Sequence, residues 1–147
     1  MPRDQVNAMV RGYLHNWLDD FDVSSTSDSY RVRYESTAVL IGCEERAEYT
    51  SVKVTAVVLT EIGENAPLGF LAVLNPDVPF GKFCYYPDRQ EITLEYELIG
   101  ESMDEGQFRN AVALIAQYAD HWDDRLQREF SFGGRRFVDT LDAQPSE

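Results

Sequence analysis

The sequence predicts an α+β domain in which helices pack on an antiparallel sheet. Amphipathic helical segments occupy both ends of the 147-residue chain, and the strand-like segments between them form a group of three and a group of two. A short helical segment separates the two groups, and the connections within each group are short and polar. Strands joined in this way pair as antiparallel hairpins. We therefore expect the order α-β-β-β-α-β-β-α, with the helices flanking the sheet.

The first element is an amphipathic helix. Its apolar residues recur at steps of three and four, the spacing of one helical face; they are Val6, Met9, Val10, Tyr13, Leu14, Trp17, Leu18 and Phe21. Asp19, Asp20 and Asp22 follow, and the helix dipole disfavours anions at a C-terminal end. We expect the helix to end there and residues 24–29 to form a loop.

Three strand-like segments come next. In Tyr30–Tyr34, apolar or aromatic side chains alternate with arginines, the period of a strand with one face in water. The segment Ala38–Cys43 is a short apolar run. Ser51–Thr60 is apolar on both faces over much of its length. We expect it to be a central strand, covered on both sides or at a subunit contact.

The middle of the chain predicts a short helix and a hairpin. Asn65 can cap the helix, with Pro67 in its first turn, and the leucines at positions 68, 71 and 74 would face inward. The segments Lys82–Tyr86 and Glu91–Ile99 then form two strands around a turn at residues 87–90. In the second strand apolar residues alternate with polar ones, three of which are the glutamates 91, 95 and 97.

A long helix closes the predicted domain. Ser102 and Glu105 have the spacing of a capping box, and an apolar stripe runs from Phe108 to Phe130. Two glycines at 133 and 134 end the helix. We expect residues 1–134 to form a single domain, followed by a polar tail, 135–147, that docks weakly or stays mobile.

Composition narrows the classes of function. The net charge of −13 repels phosphates, so we expect no nucleic-acid partner and no binding to anionic membranes. No apolar run approaches the ~18 residues that span a bilayer, and no signal peptide is evident. These features favour a cytoplasmic protein. Cys43 and Cys84 lack CxxC spacing and lie in strand-like segments, which is typical of buried thiols.

The segments that resemble catalytic or metal-binding motifs each lack residues that the motif requires. His121 has Asp120, Asp123 and Asp124 around it, but only Asp124 could share its helical face, and no second histidine or zinc motif supports a site. The segment from Asp20 to Arg31 begins like a calcium loop, yet the turn glycine and the bidentate glutamate are missing. No nucleophile motif is present. We expect no catalytic residue, metal or cofactor; an undetected enzyme is the least favoured hypothesis.

One stretch, Leu-Asn-Pro-Asp-Val-Pro-Phe-Gly-Lys-Phe at residues 74–83, resembles a known family. In YbjN-like sequences a short helix ends in a leucine–asparagine pair, and a loop then leads through Phe-Gly-basic-Phe into the next strand. The matching residues are Leu74, Asn75, Phe80, Gly81, Lys82 and Phe83. The order of elements is also similar to that of the class I, CesT-like type III secretion chaperones, over nearly the whole chain up to Gly134.

Physical chemistry gives two of these residues a structural role. Gly81 can supply a backbone geometry, or a close approach, that a side chain would block. Asn75 can adopt the left-handed conformation at the helix end or bond the loop backbone. A ligand contact is the alternative for Asn75.

The resemblance implies a homodimer that binds an extended polypeptide without catalysis. Candidate partner or dimer contacts are Phe70, Val73, Phe83, Tyr85, Tyr86, Val39 and Ile41. A client could add to a strand edge near Arg31 and Arg33, or lie in a groove between the first helix and Ala38–Cys43. The competing hypothesis is an acidic regulatory or immunity-type protein that binds one folded partner through the three glutamates of Glu91–Ile99.

Overall fold

The computed structural model describes residues 2–23 and 29–142, and it confirms the predicted α+β class. One antiparallel sheet of six strands carries the fold, in the spatial order β1-β2-β3-β4-β6-β5. The strands are β1 (Asp22–Val23), β2 (Tyr30–Tyr34), β3 (Thr37–Glu45), β4 (Thr50–Leu59), β5 (Lys82–Tyr86) and β6 (Glu91–Ile99). The helices are α1 (Arg3–Trp17), α2 (Gly69–Leu74), α3 (Glu105–Asp124) and α4 (Phe137–Asp142).

The core lies between one face of the sheet and the helices α1 and α3. Val6, Val10 and Leu14 of α1 have no exposed surface, and neither do Phe108 and Ile115 of α3. These side chains pack on the alternate residues of β4 that face the helices, Val52, Val54, Ala56 and Val58, all of them buried. Each fully buried valine, leucine, isoleucine or phenylalanine among them stabilises the fold by about 1.5–3 kcal/mol relative to an exposed one.

The opposite face of the sheet is largely open. Directly paired residues share a face, and the row Leu40–Thr55–Glu95 lies on this open side. Leu40 is 41% exposed there, and Thr55 is half-buried. β4 is therefore buried on its helix side and half-buried at Lys53, Thr55 and Val57 on the other side, because both large helices pack on one face. Cover of this face at a subunit contact stays a prediction.

Several element boundaries differ from the sequence-based expectations. Asn65 and Pro67 lie outside α2, which begins at Gly69 without a side-chain cap. Asp104, not Ser102, caps α3, and Asp104 and Gln107 form the reciprocal capping box. After Asp124 the helix widens into a π-helical turn, Arg125–Glu129. The two-residue β1 and the short α4 are additional elements.

The two ends of the described chain lie at opposite ends of the sheet. The Arg3 backbone N–H donates to the Glu45 carboxylate (3.2 Å), beside the β3–β4 hairpin. At the other end, Thr60 and Arg135 exchange two backbone hydrogen bonds of 2.8 Å, and the Val138 N–H donates to the Ser36 carbonyl. The Arg33 guanidinium lies over the Phe137 ring, and its Cζ is 5.1 Å from the ring centroid. None of the described helices is long and apolar enough to cross a membrane.

Candidate protein-binding surfaces

The Leu74–Phe83 segment forms the outer border of the sheet at β5. The Asn75 side chain accepts a hydrogen bond from the Phe83 N–H (2.7 Å) and donates one to the Phe83 carbonyl (3.1 Å). Its amide thus pairs with β5 as a one-residue strand would. Asn75 itself has helical dihedrals, φ −52° and ψ −42°, so the expected left-handed conformation is wrong and the expected bond to backbone is present.

Gly81 provides the close approach that leads into β5. Its φ is +85°, and a Cβ there would lie 2.7 Å from Ile115 Cδ1 and 3.1 Å from the Glu95 carbonyl. A side chain would meet both strain and a clash. Phe80 stacks on Tyr96 with 4.0 Å between ring centroids. The motif residues therefore fix where β5 begins and how the sheet ends.

An apolar surface extends from α2. Val73 is 68% exposed, the largest exposed fraction among the exposed apolar side chains of the described residues. Phe70 is half-buried and stacks on Phe130 at 4.5 Å. Tyr85 and Tyr86 of β5 are also half-buried. This part of the predicted contact set is accessible to a partner.

Three other predicted contact residues lie in the core. Val39 and Ile41 have no exposed surface, and Phe83 is 5% exposed and meets the Trp122 ring edge-on. They pack against the helices, so we leave them out of the candidate surfaces. The expected groove between α1 and the Ala38–Cys43 segment is filled by this same packing, apart from the outward-facing Leu40.

A hydrogen-bonded network occupies the open face around Glu95. Its carboxylate accepts bonds from Tyr86 and Thr93, both at 2.6 Å, and pairs with Lys53 at 3.0 Å. Burial opposes ionisation of Glu95, but the donors at Thr93, Tyr86 and Lys53 outweigh it and lower the pKa of this carboxyl. The bond to Glu95 raises the pKa of the Tyr86 hydroxyl. The network therefore favours the ionised form of Glu95, which accepts hydrogen bonds and has no proton to donate.

The other two glutamates of β6 are also paired. Glu97 binds Arg46 and Ser51, each at 2.5 Å, and Glu91 lies 3.5 Å from Arg89. A shallow depression of about 470 Å³, lined among others by Leu40, Thr55 and Val57, lies beside them. Because its acids are locally neutralised, this face lacks the free carboxylates that an acidic docking surface needs.

The edge at β2 is partly covered by the chain itself. Asp22 and Val23 pair with Arg31 and Tyr30, and the Asp22 carboxylate binds Arg31 at 2.6 Å. Beyond them, residues 32–34 have no strand partner on this side in the described part of the chain. The predicted β-addition edge is therefore short, with Arg33 beside it.

The histidine–aspartate group does not assemble as a metal site. The His121 Nε2 lies 3.1 Å from Arg125, and residues 2–23 and 29–142 contain no cluster of three or more His, Cys, Asp or Glu side chains that could hold a metal ion. The middle of the calcium-like segment, 24–28, lies outside the described residues.

Asp120 and Asp123 instead converge on one hydroxyl. Ser36 Oγ is within bonding distance of both carboxyl groups, at 2.5 Å from Asp123 Oδ2, and its backbone N–H donates to Asp120 at 3.0 Å. A hydroxyl has one proton, so it can donate to only one of them. Burial raises the pKa of Asp123 to about 6, against the bonds from Ser36 and Asp124. A proton on Asp123 satisfies the second contact.

Sequence reasoning predicted the bounds of β6, Glu91–Ile99, but missed that its last residues extend past β5. This strand has nine residues and β5 has five, and pairing starts at Lys82 opposite Glu95. Residues 96–99 therefore extend past β5, and Ile99 is 51% exposed. The unequal lengths of the two predicted strands are visible in the sequence and could have indicated this overhang.

Comparison with known proteins gives one family and several similar folds. The family model described as "T3SS (YopN, CesT) and YbjN peptide-binding chaperone 1", TY-Chap1, matches residues 4–140. Among solved structures, a chain of the ExsC–ExsE complex is similar with a TM-score of 0.63 and 16% identity, over 84% of this chain and 95% of that one. A chain of the HopA1–SchA chaperone–effector complex has a TM-score of 0.61 and 12% identity, over 84% and 99%. No curated protein matches the sequence significantly.

Proposed function

The chain belongs to the TY-Chap1 family of peptide-binding chaperones, as the Leu74–Phe83 resemblance indicated, and from this premise we propose that it binds an extended or partly unfolded segment of another polypeptide. It does so by contact alone, as a homodimer, and catalyses no reaction on its client. The acidic docking hypothesis receives no support from the paired glutamates of β6.

The observation that carries the proposal is the one-sided cover of the sheet. Both large helices pack on one face, so the other face and parts of both edges remain accessible within a single chain. Exposed apolar side chains lie on this open face and at its edges, among them Val23, Leu40 and Ile99. Sheet edges with neighbouring apolar side chains suit an extended peptide, because backbone bonds give affinity and side-chain contacts give selectivity.

Homodimer formation is proposed through α2 and β5. Val73 and Phe70 of α2 and Tyr85 of β5 are apolar or aromatic side chains that are at least partly accessible, and exposed patches of such residues often mark interfaces. The surface is separate from the open face, so a dimer would leave the face free for a client.

The experiment that tests peptide binding selects a phage-displayed library of random 12-residue peptides on the purified chain. Enriched sequences are then made as synthetic peptides, and their affinities are measured by fluorescence anisotropy. We expect micromolar binding of extended peptides, with scrambled versions at least about tenfold weaker. Absence of enrichment over an unrelated protein of similar negative charge would overturn the proposal.

A further inference from the structure

On the side of β6 that faces β5, the C-terminal half of the strand has backbone groups that no strand within residues 2–23 and 29–142 pairs. Since Asn75 bonds both backbone groups of Phe83, Phe83 directs them away from β6, and the Phe83–Leu94 pair is a non-hydrogen-bonded one. In an antiparallel ladder the two pair types alternate. Residues 91, 93 and 95 of β6 therefore direct their backbone groups toward β5, and 97 and 99 direct theirs past its end.

Glu97 is the centre of this unpaired edge. The register of β5 ends at Lys82 opposite Glu95, and in the described part of the chain no element pairs with Glu97 on that side. The Ile99 carbonyl accepts a bond from the Ser102 hydroxyl at 3.4 Å, so the edge closes there. The unpaired edge of β6 is therefore long enough to pair with a short strand of about three or four residues.

Two depressions flank the edge, one on each side of the sheet. On the helix side, a depression of about 210 Å³ is lined by Phe80, Leu98, Met103 and Asn110. On the open side, one of about 360 Å³ is lined among others by Lys53, Lys82, Glu95 and Glu97. Successive side chains of a strand point to opposite faces. A strand lying beside Glu97 would therefore place alternate side chains in the two depressions.

We propose that this β6 edge is a site for β-addition, and that it accepts an extended segment in which apolar residues alternate with lysine or arginine. The apolar residues enter the depression beside Phe80 and Met103, and the basic residue lies on the open face. Because Glu97 is already paired with Arg46 there, the preference for a basic segment comes from the net charge of −13 of the whole chain. This inference rests on the proposed function and names its site and its sequence pattern.

The test uses labelled nine-residue peptides and fluorescence anisotropy. The probe alternates valine with lysine. The first control has the same composition with valines and lysines in separate blocks, and the second alternates valine with glutamate. We expect the alternating valine–lysine peptide to bind at least about tenfold more tightly than either control. Equal binding of the block peptide would show that charge alone attracts it and would overturn the proposal.

Two variants locate the site. Glu97→Pro removes the outward N–H at a position where the ring faces solvent and should weaken binding at least about tenfold. Asn110→Trp fills the depression on the helix side and should also weaken binding, whereas Asn110→Ala should not. Circular dichroism and thermal unfolding check that each variant folds.

The outcomes separate this inference from the proposed function. If library-selected peptides bind but neither Glu97→Pro nor Asn110→Trp weakens them, the chain binds peptides elsewhere and the site is wrong. If Glu97→Pro instead changes the molar mass measured by light scattering, the occupant is a second copy and the site for a client is wrong. If no peptide of any kind binds, both proposals fail together.

Discussion

Asn75 performs with one side chain what a neighbouring strand usually does. Both of its bonds go to the same residue, Phe83, which lies at an edge where backbone groups would otherwise need water or another chain. From sequence alone, the helix end and the loop around Asn75 could be predicted. The partner could not, because Phe83 is eight residues away and the pairing depends on how the loop folds back.

Replacing this side chain should destabilise the fold. Asn75→Ala leaves both Phe83 groups without their partner, which costs about 1–3 kcal/mol in the free energy of unfolding. Asn75→Asp should be no better, because a carboxylate cannot donate to the Phe83 carbonyl. Urea unfolding followed by circular dichroism measures both. Asp77→Ala, an exposed change in the adjacent 3-10 turn, is the matched control; an equal loss there would contradict the role of Asn75.

Asp123 makes stability depend on pH. It is 1% exposed, and burial raises its pKa to about 6, from about 3.9 for an unperturbed aspartate. The folded state therefore holds this proton more tightly than the unfolded chain does. The stabilising contribution is fully present below about pH 4 and is lost as the pH rises through about 6.

Asp123→Asn should remove that pH dependence. The amide can accept the bond from the Asp124 N–H and donate to Ser36, and it has no charge to desolvate. We expect the variant to be more stable than the natural chain by about 1–3 kcal/mol at pH 7.5, with the difference shrinking toward pH 4. Unfolding curves at several pH values test this. Asp124→Asn, next to it and exposed, should give no such pH-dependent gain.

At the scale of elements, the start of α3 shows how local patterns compete. Both Ser102–Glu105 and Asp104–Gln107 fit a capping box, and the structure selects the second. The reason lies in the residues around each box. With Asp104 as the cap, Met103 and Phe108 occupy the two staple positions and both are buried. With Ser102, those positions would hold Glu101 and Gly106, which cannot form an apolar contact.

Two substitutions distinguish the caps. Asp104→Ala removes the side-chain acceptor for the Gln107 N–H (2.8 Å) and should destabilise the protein by about 1 kcal/mol. Ser102→Ala should cost less than about 0.5 kcal/mol, because surface changes away from a cap have small effects. Thermal unfolding of both variants under the same buffer conditions compares them. A larger loss for Ser102→Ala would show that the cap is misassigned.

The elements that sequence reasoning missed are those with little periodic pattern. The strand β1 has two residues, both exposed, so neither alternation nor burial could predict it. The helix α4 spans six residues, and Asp139 near its start binds the Arg136 guanidinium (3.1 Å) and the Gln127 amide (2.9 Å). Long segments such as β4, β6 and α3 could be predicted because their periodicity repeats over many residues.

At the scale of the whole molecule, the uneven cover of the sheet leaves two distinct accessible regions. One is the apolar and aromatic surface of α2 and β5, and the other is the open face with the β6 edge. The sequence shows which residues are apolar, but its patterns did not predict which of these apolar side chains stay exposed in the folded chain. Val39 and Val73 have similar character, yet the first is buried and the second is 68% exposed, because only the three-dimensional packing of α1 and α3 covers β3.

If the chain is a homodimer through α2 and β5, a charge placed in the α2 surface should halve the molar mass measured in solution. Size-exclusion chromatography with light scattering should give twice the chain mass of 16.8 kDa, about 34 kDa. Val73→Asp places a charge in the α2 surface and should shift the protein to 16.8 kDa, because an unpaired charge is costly in an apolar interface. Ala72→Asp, one residue away on another side of the same helix, is the control. A natural chain that is monomeric at all concentrations would contradict the dimer.

The placement of the two ends of the described chain affects how a client could be attached. Arg3 lies beside Glu45, two strands from Ile99, which is about 10 Å at the usual strand spacing. The segment after Arg135 lies at the other end of β4, about 30 Å away for a ten-residue strand. A peptide tethered before Arg3 by a short Gly/Ser linker would therefore reach the β6 edge at millimolar effective concentration. The same short tether after α4 would fall short, so the order of fusion alone would decide whether a weak client stays bound.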